Sequence, residues 1–248
     1  MSETITGAGP VVERPIEGSR FTKVILNIPA VANISQEDVF SLVISAQENL
    51  FPYLRTDIQH NQLTLSVAEG CILEPTEPII VNIGMKRIQA VTLSATGKIN
   101  VGDVADEQFN VSLTGSGEIV LDSLTVEKLV VHGTGDGKVT CQSVYPSGSL
   151  DIVQQVGGTV AVVLGSSEQA NTMEIHHQGS ADLDLGNLET EEVTVSLSGS
   201  GSATVWASEV LKAEISGTGN VRYYGDPTVK AGGAGSGKTQ SLGLAPET

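Results

Sequence analysis

Eight consecutive residues, Gly232-Gly233-Ala234-Gly235-Ser236-Gly237-Lys238-Thr239, satisfy the phosphate-loop pattern G-x-x-x-x-G-K-[ST] in full. In that motif backbone amides and a lysine hold the phosphates, and a helix starting at the Lys-Thr aims its N-terminal amides at them. Only Gln240 to Thr248 follow, which leaves no room for that helix and a later acidic strand, so the glycines read as the last turn of a repeat. His176-His177 has no acid or thiol at metal-ligand spacing and reads as a solvent-facing or corner pair. Glu189-Thr190-Glu191-Glu192 reads as a solvated loop, and Gly135-Asp136-Gly137 lacks the nonapeptide recurrence of a calcium-binding repeat. Cys71 and Cys141 form no motif; Cys141 aligns with inward positions and is expected to be a buried thiol, and the distance between the two disfavours a disulfide. The expectation is therefore no catalytic residue, no metal and no cofactor.

The elements that would position such groups are written in a recurring Gly-x-Gly signal. Gly97, Gly115 with Gly117, Gly133 with Gly135, Gly199 with Gly201, Gly217 with Gly219, and Gly235 return about every twenty residues, each before a short alternating strand. The segments Gly115 to Gly133 and Gly199 to Gly217 superpose without a gap, so that Ile119, Leu121, Val126, Leu129 and Val131 fall on Ala203, Val205, Val210, Ala213 and Ile215. The period is two, which is the period of a strand. Glycine at each corner would tolerate positive φ and let neighbouring rungs approach closely. Copies between Gly133 and Gly179 are noisier, and the runs Cys141 to Gly148 and Gly165 to Thr172 read as loops leaving the rung.

Stacking the copies gives an inward column of Ile119, Val139, Val160, Leu183, Ala203 and Val221, beside a second of Leu121, Cys141, Val162, Leu185, Val205 and Tyr223. The outward columns read Lys98, Glu118, Lys138, Thr159, Asp182, Ser202, Asn220 and Asn100, Val120, Thr140, Ala161, Asp184, Thr204, Arg222. Asp182, Asp184, Trp206, Arg222 and Tyr224 are the candidate ligand surface. Acids with a basic partner are what a polysaccharide-cleaving face carries, and aromatic rings stack on sugars, but Asp182 and Asp184 are flanked by Thr159, Ala161, Ser202 and Thr204, a poor set for acid–base chemistry.

Composition supports a narrow aliphatic core with glycine turns: of 248 residues, 28 are Gly and only 4% are aromatic. The formal net charge of −16 repels nucleic acid and anionic lipid, which carry the same sign. No run of about eighteen apolar residues is present, so no integral membrane segment is expected. Met1-Ser2-Glu3-Thr4 opens without a basic start or an apolar core, which implies a cytoplasmic location as the sequence stands, or a cell-envelope one if an export signal has been removed.

Residues 11–90 differ from the repeats, with fewer glycines and longer apolar runs. Phe21 to Ile28 and Asp38 to Ile44 read as strands, Asn49 to Leu54 as a single helical or turn-like step, and Thr56 to Val67 as a hairpin reversing near His60-Asn61. Such a segment is suited to cover the exposed first edge of a stack. Arg14-Pro15-Ile16-Glu17-Gly18-Ser19-Arg20-Phe21, Asn49-Leu50-Phe51-Pro52-Tyr53-Leu54-Arg55-Thr56, the Ser-Gly-Ser-Gly corners and the closing Gly219-Asn220-Val221-Arg222-Tyr223-Tyr224-Gly225-Asp226-Pro227 together resemble the putative auto-transporter adhesin, head GIN domain family. The resemblance runs from about Ile5 to Lys238. It implies a single-stranded β-solenoid at the bacterial cell envelope and brings no catalytic residues with it.

The expected architecture is all-β: a single-stranded β-solenoid, or β-helix, of short rungs with Gly-x-Gly corners. It comprises a tail or first corner at 1–10, an N-terminal β-rich cap at 11–90, repeats at 91–240 and a tail at 241–248. The expected function is a non-enzymatic, adhesin-like binding or scaffolding module with a protein or glycan surface as ligand and homo-oligomer formation. The alternative is a carbohydrate-binding or carbohydrate-cleaving β-helix.

Overall fold

The computed structural model describes residues 2–18, 20–134, 137–155, 161–164, 170–180 and 182–244, with the backbone alone at 146–155 and 161–164. Period-two alternation is realised in the long strands: Glu118–Gly133, Leu183–Leu197 and Ala203–Ile215 bury alternate residues over long stretches, as a strand between solvent and core must. The described residues form one sheet of twenty strands and a second of two, Glu3–Thr6 with Cys71–Glu74. A single core runs from Ile5 to Val221.

From residue 90 onward the ladders are parallel. Lys98–Val101 pairs with Glu118–Gly133, which pairs with Lys138–Gln155, and the series continues through Ala161–Leu164, Leu183–Leu197 and Ala203–Ile215 to Val221–Tyr224 and Thr239–Gly243. Successive strands are offset by one repeat, as the glycine spacing requires.

The molecule is nevertheless not the expected single-stranded parallel β-solenoid. It is a curled, open half-barrel sheet with mixed strand order. Three ladders in that sheet are antiparallel: Val11–Pro15 with Ser41–Gln47, Ser41–Gln47 with Ile79–Met85, and Leu54–Gln59 with Gln62–Val67. Order is also non-sequential, since Lys23–Asn27 lies between Gln62–Val67 and Ala90–Leu93, and Ala30–Gln36 between Ile79–Met85 and Lys98–Val101. The physical reason is that tight turns reverse the chain in this segment, whereas a parallel partner requires a long return path. The reversal at His60-Asn61 is such a turn, with φ of 51° and 62°, the pattern of a two-residue hairpin. The step at Glu48–Tyr53 is a 3₁₀ helix that buries Leu50. At its start the Gln47 amide, 3% exposed, accepts from the Thr76 and Glu77 amides and donates to Thr76 Oγ1, tying the two segments together.

Two further expectations change. The run Cys141 to Gly148 lies inside the strand Lys138–Gln155 and does not leave the sheet; of Gly165 to Thr172, residues 165–169 fall outside the described residues. The register places Val162, not Val160, between Val139 and Leu183, and Leu164, not Val162, beside Cys141. Accordingly Ala161 neighbours Lys138 and Val163 neighbours Thr140 and Asp184, while Thr159 and Val160 lie outside the described residues. The cause is visible one strand earlier. Between Val126 and Lys128 the register with the next strand jumps from Pro146 to Asp151, so that repeat is longer than its neighbours. The lengthened repeat gains three residues there, five against two, while the column itself moves by two, from Val160 to Val162, which preserves the inward and outward faces.

Candidate functional site

The glycine corners act through space rather than through φ. Of the positions expected at corners, Gly97, Gly115, Gly117, Gly199, Gly217, Gly219 and Gly235 lack positive φ, and a Cβ on any of them would collide with the backbone of the preceding turn. At Gly117 the obstruction is the Gly97 carbonyl and Leu93 Cδ2; at Gly219 it is the Gly201 carbonyl. Gly201 is buried and its amide donates to the Gly179 carbonyl at 3.0 Å. Gly133 closes its strand opposite Leu113, and Gly135 and Asp136 lie outside the described residues.

The phosphate-loop pattern occupies a strand-to-strand turn. Its first glycine ends Thr228–Gly232 and its last residue begins Thr239–Gly243, so a strand stands where the motif needs a helix N-terminus. The Lys238 amide donates to Asn220 Oδ1 at 2.9 Å. That bond is the last in a row across four strands, in which the Asn220 amide donates to Ser202 Oγ and the Ser202 amide to Asp182 Oδ1 at 2.8 Å. Asp182 is thereby committed to holding a turn.

The remaining candidates converge on the outward face of the last repeats. Asp184, Thr204 and Arg222 share one column, and Trp206 stands opposite Tyr224 in the next but one, on strands about 4.8 Å apart. Trp206, Arg222 and Tyr224 are half-buried and Asp184 is exposed. Gly186 lies under this group, where a Cβ would meet Tyr224 Cε2 at 3.1 Å and Thr204 Cγ2 at 3.2 Å. Tyr223, one residue away, packs against the core and takes no part. The result is an aromatic and charged platform on the outward face of the sheet, suited to lying against an extended surface.

Elsewhere, Lys98 Nζ meets Glu118 Oε2 at 2.8 Å, the first step of the expected charge ladder, with Lys138 next in register. His176 is exposed and lies 3.0 Å from Glu174 Oε1, while His177 is fully buried opposite Leu197. The solvent-facing reading therefore fails for His177. Its position two residues after Ile175 on the inward phase was the signal for burial. Among the described residues no three His, Cys, Asp or Glu side chains group as metal ligands, and no helix is long and apolar enough to cross a membrane. Cys71 and Cys141 are both free thiols.

Comparison with known proteins places this geometry. The sequence pattern of the putative auto-transporter adhesin, head GIN domain family matches residues 20–227. Among solved structures, a putative lipid binding protein from Parabacteroides distasonis ATCC 8503 is similar with a TM-score of 0.83 at 21% identity over 97% of this chain and 100% of that one. A putative adhesin from the same organism gives 0.83 at 19% identity with the same coverage. A putative adhesin from Parabacteroides merdae ATCC 43184 gives 0.80 at 22% over 97% and 100%. At these identities the likeness is one of fold. No curated protein matches the chain.

Proposed function

Since the chain belongs to the putative auto-transporter adhesin, head GIN domain family, we propose that it is a non-enzymatic, adhesin-like binding module of the bacterial cell envelope. We assign its contact surface to the platform of Trp206, Tyr224, Arg222 and Asp184. The observation that carries this reading is the juxtaposition of two half-buried rings with a column holding an acid and a base. Rigid aromatic rings give large contact area at small entropic cost, and flanking charges set orientation. A protein or glycan surface fits such a platform.

The test is retention of fluorescently labelled protein on bacterial envelope preparations, with wild type compared to Trp206→Ala/Tyr224→Ala at matched thermal stability. A loss of about tenfold or more is expected for removal of an interface anchor pair. Undiminished retention would overturn the placement of the surface. Binding to a defined glycan on an array, lost in Trp206→Ala, would narrow the ligand to carbohydrate.

A further inference from the structure

A second site lies at the opposite end of the sheet, in the segment that precedes the repeats. There the chain encloses a cavity of about 230 Å³. Its apolar lining is Phe21, 3% exposed, Met85, 1% exposed, and half-buried Phe40; the two rings meet edge to face with centroids 5.2 Å apart. Its rim is cationic, formed by Arg20, Lys86 and Arg87 with Asp38 as the acid among them. Three of the chain's thirteen lysines and arginines thus surround one cavity in a protein of net charge −16.

The walls are fixed by the backbone. The Glu37 amide donates to the Met85 carbonyl at 2.8 Å, Gln36 Nε2 to the Lys86 carbonyl at 3.1 Å, and the Gln89 amide to the Thr22 carbonyl at 2.8 Å. Arg87 is already committed, since its Nε and Nη2 donate to the two oxygens of Asp106 at 2.7 and 2.6 Å, and the Asp106 side chain is only 3% exposed. Arg20 and Lys86 form no ion pair among the described residues. Asp106, with Glu107 beside it, thus answers Arg87, and Asp38 is the one acid lining the cavity with Arg20 and Lys86.

The geometry points to a binding site for a small anionic amphiphile, a monocarboxylate on an aromatic or short aliphatic body, with its tail against Phe21, Phe40 and Met85 and its carboxylate between Arg20 and Lys86. Arg20 and Lys86 against Asp38 leave one positive charge at the mouth, which matches a monoanion rather than a phosphate dianion. The volume falls below the about 300–1,000 Å³ of drug-sized ligand sites, which limits the occupant to a small molecule. An apolar cavity with few convergent charges at its mouth is the usual form of such a site. This inference is independent of the Trp206 platform, with which it shares no residue.

The test is calorimetric titration of the full chain with 4-phenylbutyrate and with the neutral 4-phenylbutanol, in wild type and Arg20→Gln/Lys86→Gln. Both substituted side chains are exposed, so the variant should melt with wild type. Loss of a charge-assisted contact should weaken the carboxylate by about tenfold or more and leave the alcohol unchanged. In parallel, the methyl resonance of Met85 should shift on titration while that of buried Met173 stays fixed. Equal affinity for acid and alcohol, unchanged carboxylate binding in the variant, a shift at Met173 without one at Met85, or no heat at millimolar ligand would each overturn the site.

Discussion

Two sets of glycines, one taken from each half of the sheet, serve it in opposite ways. In the N-terminal half Gly9 and Gly70 have φ of +83° and +77°, and a Cβ on either would meet nothing within 4 Å. In the repeats Gly117, Gly199 and Gly219 have no positive φ, yet a Cβ there would strike the carbonyl of the turn below. One set provides conformation and the other provides space. The ends of the sheet differ in the same spirit: antiparallel strands and a hairpin cover the first parallel strands, whereas Thr228–Gly232 and Thr239–Gly243 close the series with exposed side chains almost throughout. Chain reversal makes enclosed corners, and the cavity beneath Arg20 and Lys86 sits in one of them. Repetition makes flat faces, and the Trp206 platform sits on one.

The largest effect should come from crossing the boundary between faces within a repeat. Leu183 is 1% exposed and stands in register between Val162 and Ala203, so Leu183→Asp would bury an unpaired carboxylate and should cost about 4 kcal/mol or more. Asp184, its neighbour, faces outward and accepts only from the Gly186 amide at 3.3 Å. Asp184→Leu should change stability by no more than about 1 kcal/mol. Equal melting of the two variants would show that the alternation is misassigned.

A smaller effect separates the two uses of glycine. Gly219→Ala should destabilise by about 1–3 kcal/mol through forced displacement of the turn, and Gly219→Asn should be no better, because the obstruction is steric. Gly70→Ala should cost about 1–2 kcal/mol through its left-handed backbone, and Gly70→Asn should recover much of that, since asparagine visits this region more readily. Chemical denaturation of the four variants decides the matter. Recovery by asparagine at Gly219 would mean that φ matters there too.

Much of this was written in the sequence. The parallel ladders, the inward column at Ile119, Leu183 and Ala203, the hairpin at His60-Asn61 and the turn-like step near Asn49 to Leu54 follow from period, glycine spacing and turn residues. The mixed order of the sheet was hidden, because alternation announces a strand and says nothing of which strand lies beside it. The two-residue slip at Val160 arose in a lengthened repeat, where the spacing of the glycines departs from that of the other repeats. At the candidate platform Trp206 and Tyr224 were legible as facing outward, but the diversion of Asp182 to the Ser202 amide depends on turn geometry that spacing does not encode. Arg20, Phe40 and Lys86 meet across chain separations that no local pattern reports.

The pair Arg87 and Asp106 offers a pH test confined to the junction of the two halves. The guanidinium's hydrogen bonds hold the Asp106 carboxyl below its ordinary value of 3.8, against the opposing effect of burial. A carboxyl depressed in the folded state contributes stability that is present above its unfolded pKa and lost as pH falls through the folded one. Asp106→Asn should therefore flatten part of the acid limb of the stability profile below about pH 4, with the neutral-pH melting point lowered. An acid limb identical to that of wild type would mean that the pair is not linked to folding.

The smallest effect leaves stability untouched and reads the two thiols. Cys141 is 1% exposed in the repeat core, and burial pushes its thiol up to about 12, partly opposed by the backbone of Ser143. Since the thiolate is the reacting species, Cys141 should be inert to alkylation at pH 8 in the folded protein. Cys71, half-buried at the start of a strand of the two-stranded sheet, should be labelled. Mass mapping after iodoacetamide treatment should therefore find one modified cysteine under native conditions and two in denaturant. Labelling of Cys141 at a rate matching global unfolding would fit a closed repeat core, whereas faster labelling would show that the repeats open locally and that the covered N-terminal half is the more stable of the two.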